Sequence, residues 1–76
     1  MEAYHNKSGI SGVVAYELGS DFIKVKFQKN NCVYLYNYLV PGNAHVETMK
    51  KKAIAGIGLA TYISKYVNEN YYNKDY

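Results

Sequence analysis

Alternation of apolar and polar residues defines the clearest predicted element, a strand over residues 23–27. Its apolar face and its lysine face are formed by alternate residues, Ile23, Val25 and Phe27 against Lys24 and Lys26. The pattern also predicts an earlier strand around residues 13–16 and a return strand over residues 32–38. Turn-forming residues separate these segments, so we expect an antiparallel meander of three strands.

The connection at residues 29–31 decides which face the tyrosines of the return strand occupy. A two-residue turn places Tyr36 opposite Val25, and the tyrosines then join the core face. A three-residue loop places Leu35 opposite Val25 instead. The tyrosines that then share the outer face with the lysines are Tyr34, Tyr36 and Tyr38. Both registers stay open at this stage.

A helical period follows the sheet from Ala44 to about Val67, with Asn43 as a suitable N-cap. The small and apolar residues expected to pack on the sheet are Val46, Met49, Ala53, Gly56, Ile57, Ala60, Ile63 and Val67. Gly56 and Gly58 inside this segment indicate a close backbone approach, a bend or a break into two helices.

The predicted fold is α+β: a three-stranded antiparallel β-meander followed by a long C-terminal helix on one sheet face, with a break near Gly58 as an alternative. The 76 residues suffice for one small domain. We expect its core to span residues 8–67, and residues 68–76 to form a tail rich in tyrosine and asparagine.

Charge and cysteine content narrow the function. The nine basic residues are all lysines, and the net charge is +3. Without the guanidinium fork of arginine, sequence-specific reading of a duplex is not expected. The chain has one cysteine and no basic-then-apolar leader, and its longest apolar stretch, Ala53 to Ala60, is too short to cross a bilayer. We therefore expect a cytoplasmic protein with no membrane partner.

No motif indicates catalysis. His5 and His45 lack metal-ligand spacing, and no third group is placed to orient His45 as a base for Cys32. We expect no enzyme activity, no metal and no cofactor.

The order of residues resembles the KTSC domain, a small family found at the C-terminus of some lysyl-tRNA synthetases and as free-standing bacterial and phage proteins. The segments that carry the resemblance are Val14-Ala15-Tyr16, Ile23 to Phe27, Tyr34-Leu35-Tyr36 and Val40-Pro41, with Ser8 standing for the serine of the family name. The resemblance implies an accessory binding role. In a phage, it also implies that subunits sequester a nucleotide signal from host defence.

Tyrosines interleaved with lysines are typical of surfaces that stack bases and attract phosphates. The predicted ligand-binding residues are Lys24, Lys26, Tyr34, Tyr36, Tyr38 and His45, and the predicted ligand is a nucleotide-like molecule or single-stranded nucleic acid. Tyrosine also has a high strand propensity, so a purely structural role is the competing interpretation.

The alternative function is protein–protein interaction, through homo-oligomerisation or docking on a host protein. The apolar strip on a second side of the helix and the tail supply its predicted interface, which consists of Leu59, Tyr62, Tyr66, Tyr71 and Tyr72.

Overall fold

The structure, a computed structural model, describes residues 2–5, 12–28, 32–68 and 70–75. It is an α+β fold with one five-stranded antiparallel sheet in the order β1-β2-β3-β4-β5. The strands are β1 Glu2–Ala3, β2 Val13–Leu18, β3 Phe22–Phe27, β4 Val33–Asn37 and β5 Asn73–Asp75. The helices are α1 Asn43–Ala55 and α2 Leu59–Tyr62, which continues as a π-helix over Ile63–Val67.

The predicted architecture of three strands and one long helix is wrong. Three strands lie where the hydrophobic pattern predicts them, but β1 and β5 add one strand at each edge of the sheet. The helical segment is divided into two short helices, of 13 residues in α1 and nine in α2 with its π-helical continuation. Residues 73–75 of the tail therefore belong to the sheet.

The β3–β4 register differs from both predicted registers. Tyr34 lies opposite Val25, and Tyr36 lies opposite Ile23. The Phe27 amide donates to the Cys32 carbonyl, so the connection is longer than either predicted turn; its residues 29–31 lie outside the described residues. Relative to the two-residue turn the strand is displaced by two positions, which keeps each side chain on the same face. Tyr34 and Tyr36 therefore face the core.

The core lies between the inner face of the sheet and the two helices. Val46, Met49 and Ala53 of α1 are fully buried against a sheet face that includes Ile23 and Tyr36. Gly42, rather than the expected Asn43, occupies the N-cap position of α1.

The break between the helices is a left-handed turn at glycine. Gly56 has φ 76°, and its amide and that of Ile57 donate to the last carbonyls of α1, which is the usual way in which such a turn ends a helix. Gly58, with φ 84°, precedes α2. The break overturns the expected continuous stripe, because it turns Ile57 outward to 50% exposure and brings Leu59 into the core at 0%.

The N-terminal segment packs against this break, although it precedes residues 8–67, the expected core. Tyr4 is buried, and its hydroxyl accepts a hydrogen bond from the Leu59 amide at 3.3 Å. A Cβ on Gly56 would lie 2.7 Å from the His5 Cβ. Both effects that the glycines indicated, a break and a close approach, therefore occur at Gly56.

Candidate ligand-binding site

The predicted tyrosine and lysine surface of the sheet does not form. Tyr34 and Tyr36 lie on the inner face, whereas Lys24 and Lys26 lie on the outer face beside Leu35 and Val33 of β4. Since the two sets of side chains point to opposite sides of one sheet, they do not contact a single ligand.

The inner tyrosines form an aromatic cluster with the C-terminal segment. The Tyr34 ring packs edge-on against Phe27 and Tyr71, and Tyr71 also packs against Tyr36. The Lys74 ammonium lies 5.4 Å from the centroid of the Tyr34 ring. Burial, followed by the neighbouring phenols, raises the pKa of Tyr36 far above its ordinary value. Such a cluster holds β5 on the sheet, which favours the structural interpretation of Tyr34 and Tyr36.

Tyr38 lies on a different surface, one flank of α1, where it is tied to charged groups. Its hydroxyl donates to Glu47 Oε2 at 2.6 Å, and Lys50 Nζ lies 3.0 Å from the same oxygen. Lys50 also donates to the Ser20 carbonyl at 3.1 Å. The hydrogen bond to Glu47 raises the pKa of Tyr38, and the bonds from Tyr38 and Lys50 lower the pKa of Glu47. We call Tyr38, Glu47 and Lys50 the paired cluster; it links α1 to two turns of the sheet.

The opposite flank of α1 brings together residues that the sequence analysis assigned to different functions. His45 Nδ1 lies 2.7 Å from the Tyr62 hydroxyl. The Lys52 ammonium lies 5.7 Å from the centroid of the Tyr62 ring, and the Tyr66 ring lies 4.9 Å from that ring at an interplanar angle of 40°. We call these four residues, His45, Lys52, Tyr62 and Tyr66, the open cluster.

Helix geometry explains this arrangement. His45 and Lys52 are seven residues apart in α1, so they lie on the same side of the helix two turns apart. The glycine break then allows α2 to place Tyr62 next to them, and Tyr66 follows one turn later. Within the π-helix, Ile63 and Val67 remain buried while Tyr66 is 63% exposed. Short π-helical segments often occur at functional sites.

The open cluster supplies an aromatic surface and two groups suited to an anion. When the Tyr62 hydroxyl donates to Nδ1, the neutral His45 ring carries its proton on Nε2, which is then a donor. Lys52 adds a positive charge, and no carboxylate in the described ranges forms a salt bridge with it. The exposed Tyr66 ring can stack with a planar group. The arrangement therefore suits an anionic ligand with an aromatic ring.

The predicted interface residues do not share one surface. Leu59 is fully buried, because the glycine break directs it into the core, so the expected apolar strip of Leu59, Tyr62 and Tyr66 is wrong. Tyr71 packs in the inner aromatic cluster, and Tyr72 is 54% exposed. Cys32 is buried at 1% exposure.

Lys52 is the one member of the open cluster that the sequence analysis missed. It belongs to a run of three lysines that is typical of a solvated helix surface. The usable signal was its spacing of seven residues from His45, which places both on one helix flank. Tyr62 and Tyr66 were predicted at an interface rather than at a ligand site.

Comparison with protein-family models, curated proteins and solved structures finds no match for this chain. The resemblance to the KTSC family stays a prediction based on the residues quoted above. Among the described residues, no group of three or more His, Cys, Asp or Glu side chains is placed to hold a metal ion. No helix in the described part of the chain has the length and apolarity needed to span a membrane.

Proposed function

We propose that this protein is a non-enzymatic binding module for a nucleotide, or for one nucleotide unit of a single-stranded nucleic acid, and that the open cluster is its site. The observation that carries the proposal is the convergence of a cation, an imidazole and two adjacent tyrosine rings on one flank of α1. Tyr66 stacks with the base, and Lys52 and His45 bind the phosphate.

The expected affinity is modest. A stacked base contributes about 1–3 kcal/mol, and a hydrogen bond to a charged group contributes about 1.5–3 kcal/mol. Their sum corresponds to a dissociation constant from about 40 μM to about 15 mM. The binding is therefore best measured by titration, because a washing step would remove the ligand.

The test is a ¹H–¹⁵N NMR titration of the full chain with adenosine monophosphate, adenosine, ribose 5-phosphate and a ten-nucleotide oligouridylate. We expect the amides of α1 and α2 around the open cluster to shift, and adenosine monophosphate to bind more tightly than the two fragments that lack its phosphate or its base. Tighter, salt-dependent binding of the oligonucleotide would identify a single strand as the ligand, whereas equal binding per nucleotide would identify the mononucleotide.

Two exposed tyrosines provide a matched pair of variants. Tyr66→Ala removes the stacking ring and should weaken binding about fivefold or more. Tyr72→Ala removes a ring of similar exposure outside the open cluster and should leave binding unchanged. The proposal is wrong if no probe shifts the open cluster, or if Tyr66→Ala binds as well as the wild type. A ligand-free dimer that Tyr66→Ala dissociates would instead favour self-assembly.

A further inference from the structure

The outer face of the sheet has a chemistry different from that of the open cluster. Within the described ranges, the buried residues of both helices belong to the core on the inner face. The outer face carries half-buried side chains that combine charge with apolar surface: Phe22, Lys24, Lys26, Val33 and Leu35. Glu17 and Asp75 take register positions on the same face, opposite Lys24 and Val33, so the surface combines lysines and acids with aliphatic residues.

A hollow of about 110 Å³ lies on this face, lined by Lys24, Val33, Leu35 and Asn73. The Lys24 ammonium lies 5.8 Å from the centroid of the Phe22 ring. Glu17 is the cross-strand neighbour of Lys24, but no ion pair joins these two described residues. A cation beside two aliphatic side chains is complementary to a carboxylate next to an aliphatic group.

We propose that the outer face binds a short acidic peptide, whose carboxylates approach Lys24 and Lys26 while one of its aliphatic side chains fills the hollow at Val33 and Leu35. Charge favours this occupant over a second copy of the chain, since two copies each carry a net charge of +3 and repel each other. A nucleic acid is disfavoured because Phe22 is the one aromatic ring among the outer-face residues named above, and it already packs against Gly19 and Lys24; Tyr34 and Tyr36 lie on the inner face.

The dimensions of the face also favour a peptide. The two longest strands have six residues each, whereas β1 and β5 have two and three. At about 3.4 Å per residue and about 4.8 Å between strands, the five strands cover roughly 360 Å², which is less than half of the roughly 800 Å² that each partner contributes to a standard protein interface. A peptide lying across the strands matches this area better than a folded domain does.

The test is a titration of the ¹⁵N-labelled full chain with an end-capped hexapeptide of four acidic residues around two central leucines. A control peptide has two serines in place of the leucines, and the ten-nucleotide oligouridylate is a third probe. We expect the leucine peptide to shift amides of β3 and β4, and the serine peptide to bind at least several times more weakly.

Variants distinguish the contribution of the lysine charge to peptide binding from that of the hollow. Lys24→Glu should weaken binding of the leucine peptide about tenfold or more, and Leu35→Thr, which keeps a strand-forming residue, should reduce it to the level of the serine peptide. Lys51→Glu makes the same charge change on the exposed side of α1 and should change binding less than twofold.

Three outcomes would each overturn the proposal: equal effects of Lys24→Glu and Lys51→Glu, shifts confined to the helices, or tighter outer-face binding of the oligouridylate. The open cluster lies on a flank of α1 and not on the outer face, so the peptide proposal and the nucleotide proposal can each fail without the other.

Discussion

The two flanks of α1 contain nearly the same pair of side chains in different surroundings. In each, a lysine ammonium lies 5.7 Å from the centroid of a tyrosine ring, Lys50 beside Tyr38 and Lys52 beside Tyr62. Glu47 joins the first pair through two short contacts, whereas His45 joins the second. The carboxylate neutralises the first lysine and holds both partners in place. The second lysine keeps its charge available for an anion.

Helix geometry produces this difference from a continuous run of lysines. Lys50 and Lys52 are two positions apart, which places them about 200° apart around the helix axis. One therefore faces the loop that carries Tyr38, and the other faces α2. A run of like charges thus contains one structural residue and one candidate ligand-binding residue.

The largest expected effect comes from giving the open cluster a carboxylate of its own. His45→Glu removes one donor and places an acid where it can pair with Lys52, so binding of adenosine monophosphate should fall on the order of a hundredfold. The measurement is the NMR titration described above. Ala44→Glu adds the same charge at a neighbouring exposed position and serves as the control. Equal losses in the two variants would mean that net charge, rather than the cluster, controls binding.

A smaller effect is expected from the glycine turn that positions α2. Gly56→Ala places a Cβ in a left-handed backbone and against His5, which should lower the free energy of unfolding by about 1–2 kcal/mol. It should also weaken ligand binding by displacing Tyr62, while the hydrogen bond between Tyr38 and Glu47 remains.

The control for the glycine turn is Gly12→Ala. A Cβ at Gly12 meets no atom within 4 Å, so its unfolding midpoint in urea should match that of the wild type. An unchanged midpoint in Gly56→Ala would show that the turn tolerates a side chain and does not set the position of α2.

The parts of the fold that could be predicted depend on local periodicity. The alternation over residues 23–27 correctly separates Lys24 from Val25, and the helical period correctly buries Val46 and Met49. Strands β1 and β5 have two and three residues, too few to show a period, and they exist only because they pair with distant neighbours. The burial of Tyr4 was missed for the same reason.

The candidate site could be predicted only in part. His45 is among the predicted ligand-binding residues. Its neighbours depend on the angle between α1 and α2, which the left-handed Gly56 and Gly58 determine. A helical period assumes that the helix continues, so it placed Leu59 on the surface with Tyr62. The error follows from that assumption rather than from the residue types.

The smallest expected effect is a pH dependence that distinguishes the two lysines. Hydrogen bonds from Tyr38 and then Lys50 lower the pKa of Glu47 in the folded state. A lowered carboxyl pKa contributes stability that is present above the ordinary carboxyl pKa and is lost as the pH falls through the folded-state pKa.

Lys50→Gln removes one cause of this lowering, so the melting temperature of this variant should fall less steeply than that of the wild type below about pH 5. Lys52→Gln removes the same charge from the flank where no described carboxylate pairs with lysine, and it should keep the wild-type slope. The difference should be small because Glu47 and Tyr38 are exposed. Thermal melts of the three proteins from pH 3 to pH 6 measure it, and identical slopes in the two variants would show that the two flanks of α1 are electrostatically equivalent.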